Sequence, residues 1–377
     1  MATNPSDSKP SNTTPKTATR RQALKAGLAV AALPLIPATV RQALAQERKI
    51  TTVHGFETAA DIAKAEQEGE FVYYTHDSEP AAAGIAEAFG KDFPKIKGKY
   101  FRLQNSSLFS KVLSERQAGQ YNVDVIQFSE PTTAIDFQKR GGYTRHVSPQ
   151  AKFYAPEHLS GPVGDYFWVG VTFAGIAYNT EKVKPEDAPK GWKDILKPIW
   201  ANGVNVKQSN SGLQFVQWYE LRKLYGEDFW KEFAKLKPKG FDSRVQLFDR
   251  LAMGDDKLCG LAEYAGYLLH KEKGAPIAWV APPDGLPASP LLNGVADKAP
   301  HPEAARLFVD WMMSPRGQAH QQNNPYLYYG SVRKDAPPMP GGTRLSDYKL
   351  LTPTDMAALS ATRDAFNAEW NKMLGML

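Results

Sequence analysis

The amino-acid sequence predicts an α/β fold in two lobes, and three observations carry that prediction. Short β-rich runs alternate with helical periodicities, the βαβαβ rhythm of a parallel, doubly wound sheet. The stretch after residue 45 is longer than a single hydrophobic core usually organises. No low-complexity linker interrupts residues 48–377, so crossing strands rather than a flexible tether should join the lobes.

The elements begin with a leader. Residues 1–18 are polar and rich in Pro, Ser and Thr, a composition that does not fold on its own. Arg20 and Arg21 then precede an apolar run from Ala26 to Val40. That run is too short for a comfortable membrane span and has the charged-then-apolar order of a signal peptide. Ala43-Leu44-Ala45 supplies a small-x-small cleavage site, giving a signal peptide over 1–45 cut after Ala45. The arginine pair resembles a twin-arginine signal, although Ala23 stands where a bulky apolar residue is common. An ordinary secretory signal is the alternative, and either one predicts export.

Removing the leader changes the charge. Residues 1–45 hold six basic residues and one acid, so of the formal net charge of +6 only +1 stays with the rest of the chain. Binding to nucleic acid or to a membrane surface therefore has no electrostatic support. Cys259 is the single cysteine, so no intramolecular disulfide can form; its place in a strand-like run predicts a buried, small apolar side chain.

Along the first lobe, Phe71–Tyr74 reads as a strand, followed by a helix capped at Ser78 with Ile85 and Phe89 on one face. Lys99–Leu103 is a second strand, and Ser106 or Ser107 caps a helix carrying Leu108, Phe109, Val112 and Leu113. Val123–Phe128 is a third, buried strand. In the second half, Trp168–Tyr178 is a long strand and Gly203–Val206 a short one. Ser211 caps a helix with Phe215 and Tyr219. Ser243 opens another, with Val245, Phe248 and Ala252 expected inside. Leu258–Ala262 and Ile277–Val280 are further strands, and Pro302–Met313 is a helix with Ala305, Phe308 and Met312 at core spacing. Lobe one is placed at 48–168 plus about 277–301 and lobe two at 169–276; the sequence does not assign the C-terminal helices, 302–377, to either.

Several strings carry a family resemblance. They are Glu70-Phe71-Val72-Tyr73-Tyr74-Thr75-His76, Asn122-Val123-Asp124-Val125, Gly175-Ile176-Ala177-Tyr178-Asn179-Thr180, Trp192-Lys193-Asp194-Ile195-Leu196-Lys197-Pro198 and Ala299-Pro300-His301-Pro302-Glu303-Ala304-Ala305. Taken in this order they resemble the periplasmic solute-binding proteins of ABC importers, in the subgroup that includes ferric-iron, thiamine, polyamine and phosphonate binders. The resemblance covers about residues 50–335. It implies a two-lobed periplasmic-binding-protein fold with hinge strands and a ligand cleft between the lobes. It further implies a periplasmic, monomeric protein whose partners are a small-molecule ligand and a membrane permease, with no cofactor and no reaction.

In open α/β sheets, ligands lie beyond the carboxyl ends of the strands, at loops feeding helix N-termini. Five such loops are polar here, and they supply the candidate ligand-binding residues: Thr75, His76 and Ser78; Ser106 and Ser107; Ser129 and Glu130; Ser209, Asn210 and Ser211; Glu263 and Tyr264. Serines with free N–H groups at a helix start suit an anion, so the expected ligand is polar, organic and anionic. A plain N-cap is the alternative for each serine taken alone.

Ferric iron is the alternative ligand, and the resemblance implies His76, Glu130, Tyr264 and Tyr267 as its set. Adjacent tyrosines are expected of such a site, but Ala265-Gly266 separates Tyr264 from Tyr267, which weakens a phenolate set for a hard trivalent ion. An exported enzyme is the competitor from another class. The sequence contains no G-x-S-x-G, H-E-x-x-H, C-x-x-C or Walker loop, and its seven histidines form no i, i+4 pair. A binding protein that feeds a membrane sensor instead of a transporter has the same fold and stays open at this level.

Overall fold

The computed structural model describes residues 48–161 and 163–376; the expected leader, with Arg20, Arg21 and the cut after Ala45, lies outside them. From Arg48 onward the chain forms one compact unit. A small hairpin, β1 (Thr51–Val53) and β2 (Phe56–Thr58), precedes helix α1 (Ile62–Glu68), whose N-cap Asp61 accepts from the Lys64 amide. Strand β3 (Glu70–Thr75) leads into α2 (Glu79–Asp92), where Ala81, Ala82, Ile85 and Phe89 form the buried stripe that their spacing predicts. Then follow β4 (Lys97–Arg102), α3 (Asn105–Gln117), β5 (Val125–Phe128) and α4 (Pro131–Lys139). Strand β3 pairs in parallel with both β4 and β5, so the βαβαβ rhythm is realised. The cap of α3 corrects the sequence reading: it is Gln104, and Ser106 and Ser107 already lie in the first turn. Asn105 starts the helix early because its side chain is buried between the Ser129 amide, from which it accepts at 3.0 Å, and Thr133 Oγ1, to which it donates at 3.0 Å.

The second half opens with the 13-residue strand β6 (Phe167–Asn179). Short 3-10 turns then carry Trp192 and Trp200 inward. After them come β7 (Val204–Lys207), α5 (Gly212–Tyr225), α6 (Asp228–Ala234), β8 (Lys239–Phe241) and α7 (Arg244–Met253). Helix α7 buries Leu247, Phe248 and Leu251 rather than the expected Val245, Phe248 and Ala252, because Val245 turns toward the cleft described below and stays 45% exposed. The half continues with β9 (Leu258–Glu263), α8 (Tyr264–Glu272) and β10 (Ile277–Val280). Gly175 lies where β10 crosses β6; a Cβ there would collide with the Val280 carbonyl and the Trp279 ring.

Strand β11 (Leu286–Val295) is buried at every residue. It sits between β5 and β6 in a sheet of order β4-β3-β5-β11-β6-β9-β7-β8. The first part of β6 pairs with β11, and its second part pairs with β9 and β10. Strands β6 and β11 are thus the two that connect the halves of the sheet. Cys259, in β9, is fully buried, and burial pushes its thiol up to about 12.

The C-terminal elements divide between two cores. Helix α9 (Pro302–Met313) puts Phe308 and Trp311 against Phe71 and Phe89, and α10 (Pro315–Asn323) follows it. The chain then crosses: β12 (Leu350–Leu351) pairs with the start of β11, and α11 (Met356–Ala361) leads to α12 (Arg363–Met373). Phe366 and Trp370 of α12 join Trp192, Trp200, Trp218 and Trp230 in the other core. Trp370 Nε1 donates to the Lys207 carbonyl at 2.8 Å. At the other end of the unit, Arg48 makes a bidentate pair with Glu303 at 2.8 Å, and the Glu68 carboxylate accepts the first amides of α9. Among the described residues no helix is long and apolar enough to cross a membrane.

Candidate functional site

Five helix starts open on one cleft of about 1040 Å³. Ser78 brings α2, Gln104 to Ser107 bring α3, and Ser129 to Thr132 bring α4; Asn210 to Gly212 and Ser243 to Val245 bring α5 and α7. Each helix follows the carboxyl end of a parallel strand, so its unpaired amides and the positive end of its dipole face the same space. The walls are close at one point. A Cβ built on Gly212 would lie 3.4 Å from Glu130 Cγ, in van der Waals contact, so the start of α4 meets the start of α5 there.

Four cations line this space. Arg102 ends β4, Lys207 ends β7, Arg244 opens α7 and Arg363 opens α12. Arg244 pairs with Glu263 at 3.3 Å, and Asp242 accepts from Asn210 Nδ2 at 2.5 Å. Among the described residues, Arg102, Lys207 and Arg363 meet no carboxylate within ion-pair distance, and Arg102 Nε is buried without a partner. Burial holds the Lys207 ammonium below its usual range, Glu263 and Asp242 oppose the shift, and Arg244 adds to it. Glu130, Asp242 and Glu263 line the cleft as well, so its four cations outnumber three carboxylates, and Arg102, Lys207 and Arg363 form an ion pair with none of them.

Eight of the expected residues line the cleft: Ser78, Ser106, Ser107, Ser129, Glu130, Asn210, Ser211 and Glu263. Thr75, Ser209 and Tyr264 do not. Thr75 is fully buried, and its hydroxyl accepts from the Asp77 amide at 3.1 Å. Ser209 spends its hydroxyl on Asn371 of α12, at 2.7 Å. Tyr264 stacks on Phe173, donates to the Pro340 carbonyl and is hydrogen-bonded to the Thr343 hydroxyl, because α8 starts at this residue and packs its ring inward. Tyr267 lies against Trp279, outside the cleft lining. Of the two tyrosines expected of a ferric site, Tyr264 has its hydroxyl engaged elsewhere and neither lines the cleft.

His76 sits just behind the lining. Its Nδ1 is buried without a partner, and Nε2 is 3.8 Å from Asp77 Oδ1. Burial lowers its pKa; Asp77 and Glu130 oppose the shift, and Arg102 reinforces it. Asp77 is fixed in turn, accepting from Tyr329 at 2.6 Å and from Gln127 at 2.9 Å, while Gln127 accepts from Tyr73 at 2.5 Å. This network clamps the loop after β3 from below.

Sequence reasoning missed Arg102, Arg244, Ser289 and Arg363 as lining residues. Arg102 was legible as the last residue of an expected strand, and Arg244 as the residue after the cap Ser243. Ser289 and Arg363 had no local signal, since one lies in an unrecognised strand and the other in an unplaced helix.

Residues 122–349 match the family described as bacterial extracellular solute-binding protein. An uncharacterized protein of Haemophilus influenzae is 26% identical over 269 residues, covering 67% of this chain and 75% of its own. Iron uptake protein A1 of Synechocystis is 27% identical over 191 residues, 46% of this chain and 52% of its own. Among solved structures, the periplasmic binding protein AfuA of Actinobacillus pleuropneumoniae, with fructose-6-phosphate bound, superposes with a TM-score of 0.68 at 22% identity, covering 82% of this chain and 99% of its own. Iron-bound HitA of Pseudomonas aeruginosa gives a TM-score of 0.67 at 21% identity, with 81% and 99% covered. At these identities the likeness is one of fold, the two-lobed periplasmic-binding-protein fold.

Proposed function

This chain belongs to the bacterial extracellular solute-binding proteins, the periplasmic substrate-binding components of ABC importers, and from that premise we propose that its solute is a small anionic organic molecule. The observation that carries the reading is the set of three cations, Arg102, Lys207 and Arg363, facing five helix N-termini without carboxylate partners. Lobe one contributes α2, α3 and α4, and lobe two contributes α5 and α7. Strands β6 and β11 act as the hinge. Contacts from both lobes exist together only when the cleft is closed, so solute shifts the population toward the closed form. The solute leaves unchanged, for delivery to the membrane permease. The relatives' names point in two directions, a sugar phosphate and iron. The three cations without ion-pair partners and the engaged Tyr264 hydroxyl favour the anion, because unpaired cations attract an organic phosphate and oppose a bare trivalent metal.

The test is thermal unfolding and small-angle scattering of the purified protein with fructose-6-phosphate, inorganic phosphate, citrate, spermidine and ferric chloride. An organic anion at about 100 times its Kd is expected to stabilise the fold by about 2.7 kcal/mol, a rise of a few degrees, and to reduce the radius of gyration. Stabilisation by ferric ion alone, with a visible charge-transfer band lost in Tyr264→Phe, would replace this reading with iron capture. A response confined to spermidine would reverse the expected charge.

A further inference from the structure

The C-terminal segment does more than complete a core. Helix α12 is fastened to lobe two by Phe366, Trp370 and the Ser209–Asn371 hydrogen bond, whereas α11 packs against α4 of lobe one. The segment therefore straddles the cleft, and Leu359, Ser360 and Arg363 form part of its wall. It lies beyond residues 122–349, the part of the chain that matches the family. At the first residue of α12, the Arg363 guanidinium sits 4.8 Å over the ring of Phe215, itself a cleft residue, and meets no carboxylate among the described residues.

We propose that Arg363 is a solute-binding residue and that it sets the charge of the solute, selecting a dianion over a monoanion. This rests on the anionic reading above and narrows it. With Arg244 paired to Glu263, the cations Arg102, Lys207 and Arg363 share the cleft with Glu130 and Asp242 but form an ion pair with neither, so a dianion can engage more of the three than a monoanion can. A dianionic head, as in a phosphate monoester or a dicarboxylate, can be held from three directions: by Arg102 in lobe one, Lys207 in lobe two and Arg363 in the straddling segment. Arg363 is pre-ordered for this by its stack on Phe215, which fixes the guanidinium plane without neutralising it.

Calorimetric titration of the full mature chain and its Arg363→Gln and Arg363→Lys variants tests this, with fructose-6-phosphate and citrate as multiply charged probes and gluconate as a singly charged one. Losing one charge-assisted contact is expected to weaken the multiply charged probe that binds by about 10- to 100-fold. Gluconate binding should fall much less, and Arg363→Lys should recover part of the loss. Fructose-6-phosphate and citrate distinguish phosphate from carboxylate recognition. Arg363 holds no ion pair among the described residues, so the ligand-free melting temperature should stay within a few degrees of the parent, separating a binding effect from a folding one. If Arg363→Gln binds the multiply charged probe as the parent does while Arg102→Gln and Lys207→Gln do not, the proposal falls and the anionic site stands. Equal loss for singly and multiply charged probes would remove the charge-selection claim. No binding of any anion by the parent chain would overturn both readings together.

Discussion

His76 shows how a single residue can be placed correctly by sequence and still be misjudged in its chemistry. Its position after the first strand of the parallel sheet was legible, and so was its nearness to Glu130. Its burial was not, because its surroundings come partly from elements distant in the chain, Arg102 and Glu130 among them. Burial lowers its pKa from the ordinary 6.5, and the same cause lowers those of His158 and His320. With depressed pKa values in the folded state, the unfolded chain binds more protons below about pH 6.5. Stability is therefore full above that pH and falls as pH drops through it. Urea unfolding at pH 7.5 and pH 5.5 is expected to give a lower midpoint in acid at an unchanged slope, with a smaller drop in His76→Asn. Carboxylates such as Asp256, held down by Arg250, Asn205 and Lys239 against its burial, act in a separate window below the usual carboxyl range.

Among the elements, local pattern and tertiary pairing part company at β11 and α12. Strands β3 to β5 and their helices were legible because short apolar runs and capped, amphipathic helices are local signals. Strand β11 carries Pro287 and Pro290, and proline ordinarily argues against a central strand, since it removes a ladder donor. Pro290 pairs with Val171 next to the point where the pairing with β6 slips register, between Leu291 and Leu292, and Pro287 lies where β11 pairs with the two-residue strand β12. Helix α12 fell within the undivided C-terminal helices of 302–377, and its packing depends on the Trp370 bond to Lys207, a contact between residues 163 positions apart. Trp370→Ala should cost about 3–5 kcal/mol, since the ring is fully buried against Trp230. Because that ring also holds α12 at the loop after β7, solute affinity should fall as well. Chemical denaturation and titration of the same variant check both; an unchanged affinity would mean that the loop and Arg363 are held independently of Trp370.

At the scale of the whole molecule, the two-lobed class followed from length, alternation and the lack of a linker, and the fold bears it out. The cleft's position also followed, since helix N-termini at the carboxyl ends of parallel strands converge whatever the loop details. Its charge did not, because three of its four cations sit outside the serine-rich loops that drew attention. Cys259 adds a consequence of a different kind. As the chain's single thiol, buried in β9 beside the connecting strand β6, it is a built-in clock for structural opening. A thiol reagent can reach it only in molecules whose inner sheet has come apart, so its labelling rate measures how often that happens. Solute binding should slow the labelling in proportion to the stabilisation it confers, with no probe introduced and no residue changed. Labelling at one rate with and without saturating solute would mean that β9 opens in a motion the cleft does not control.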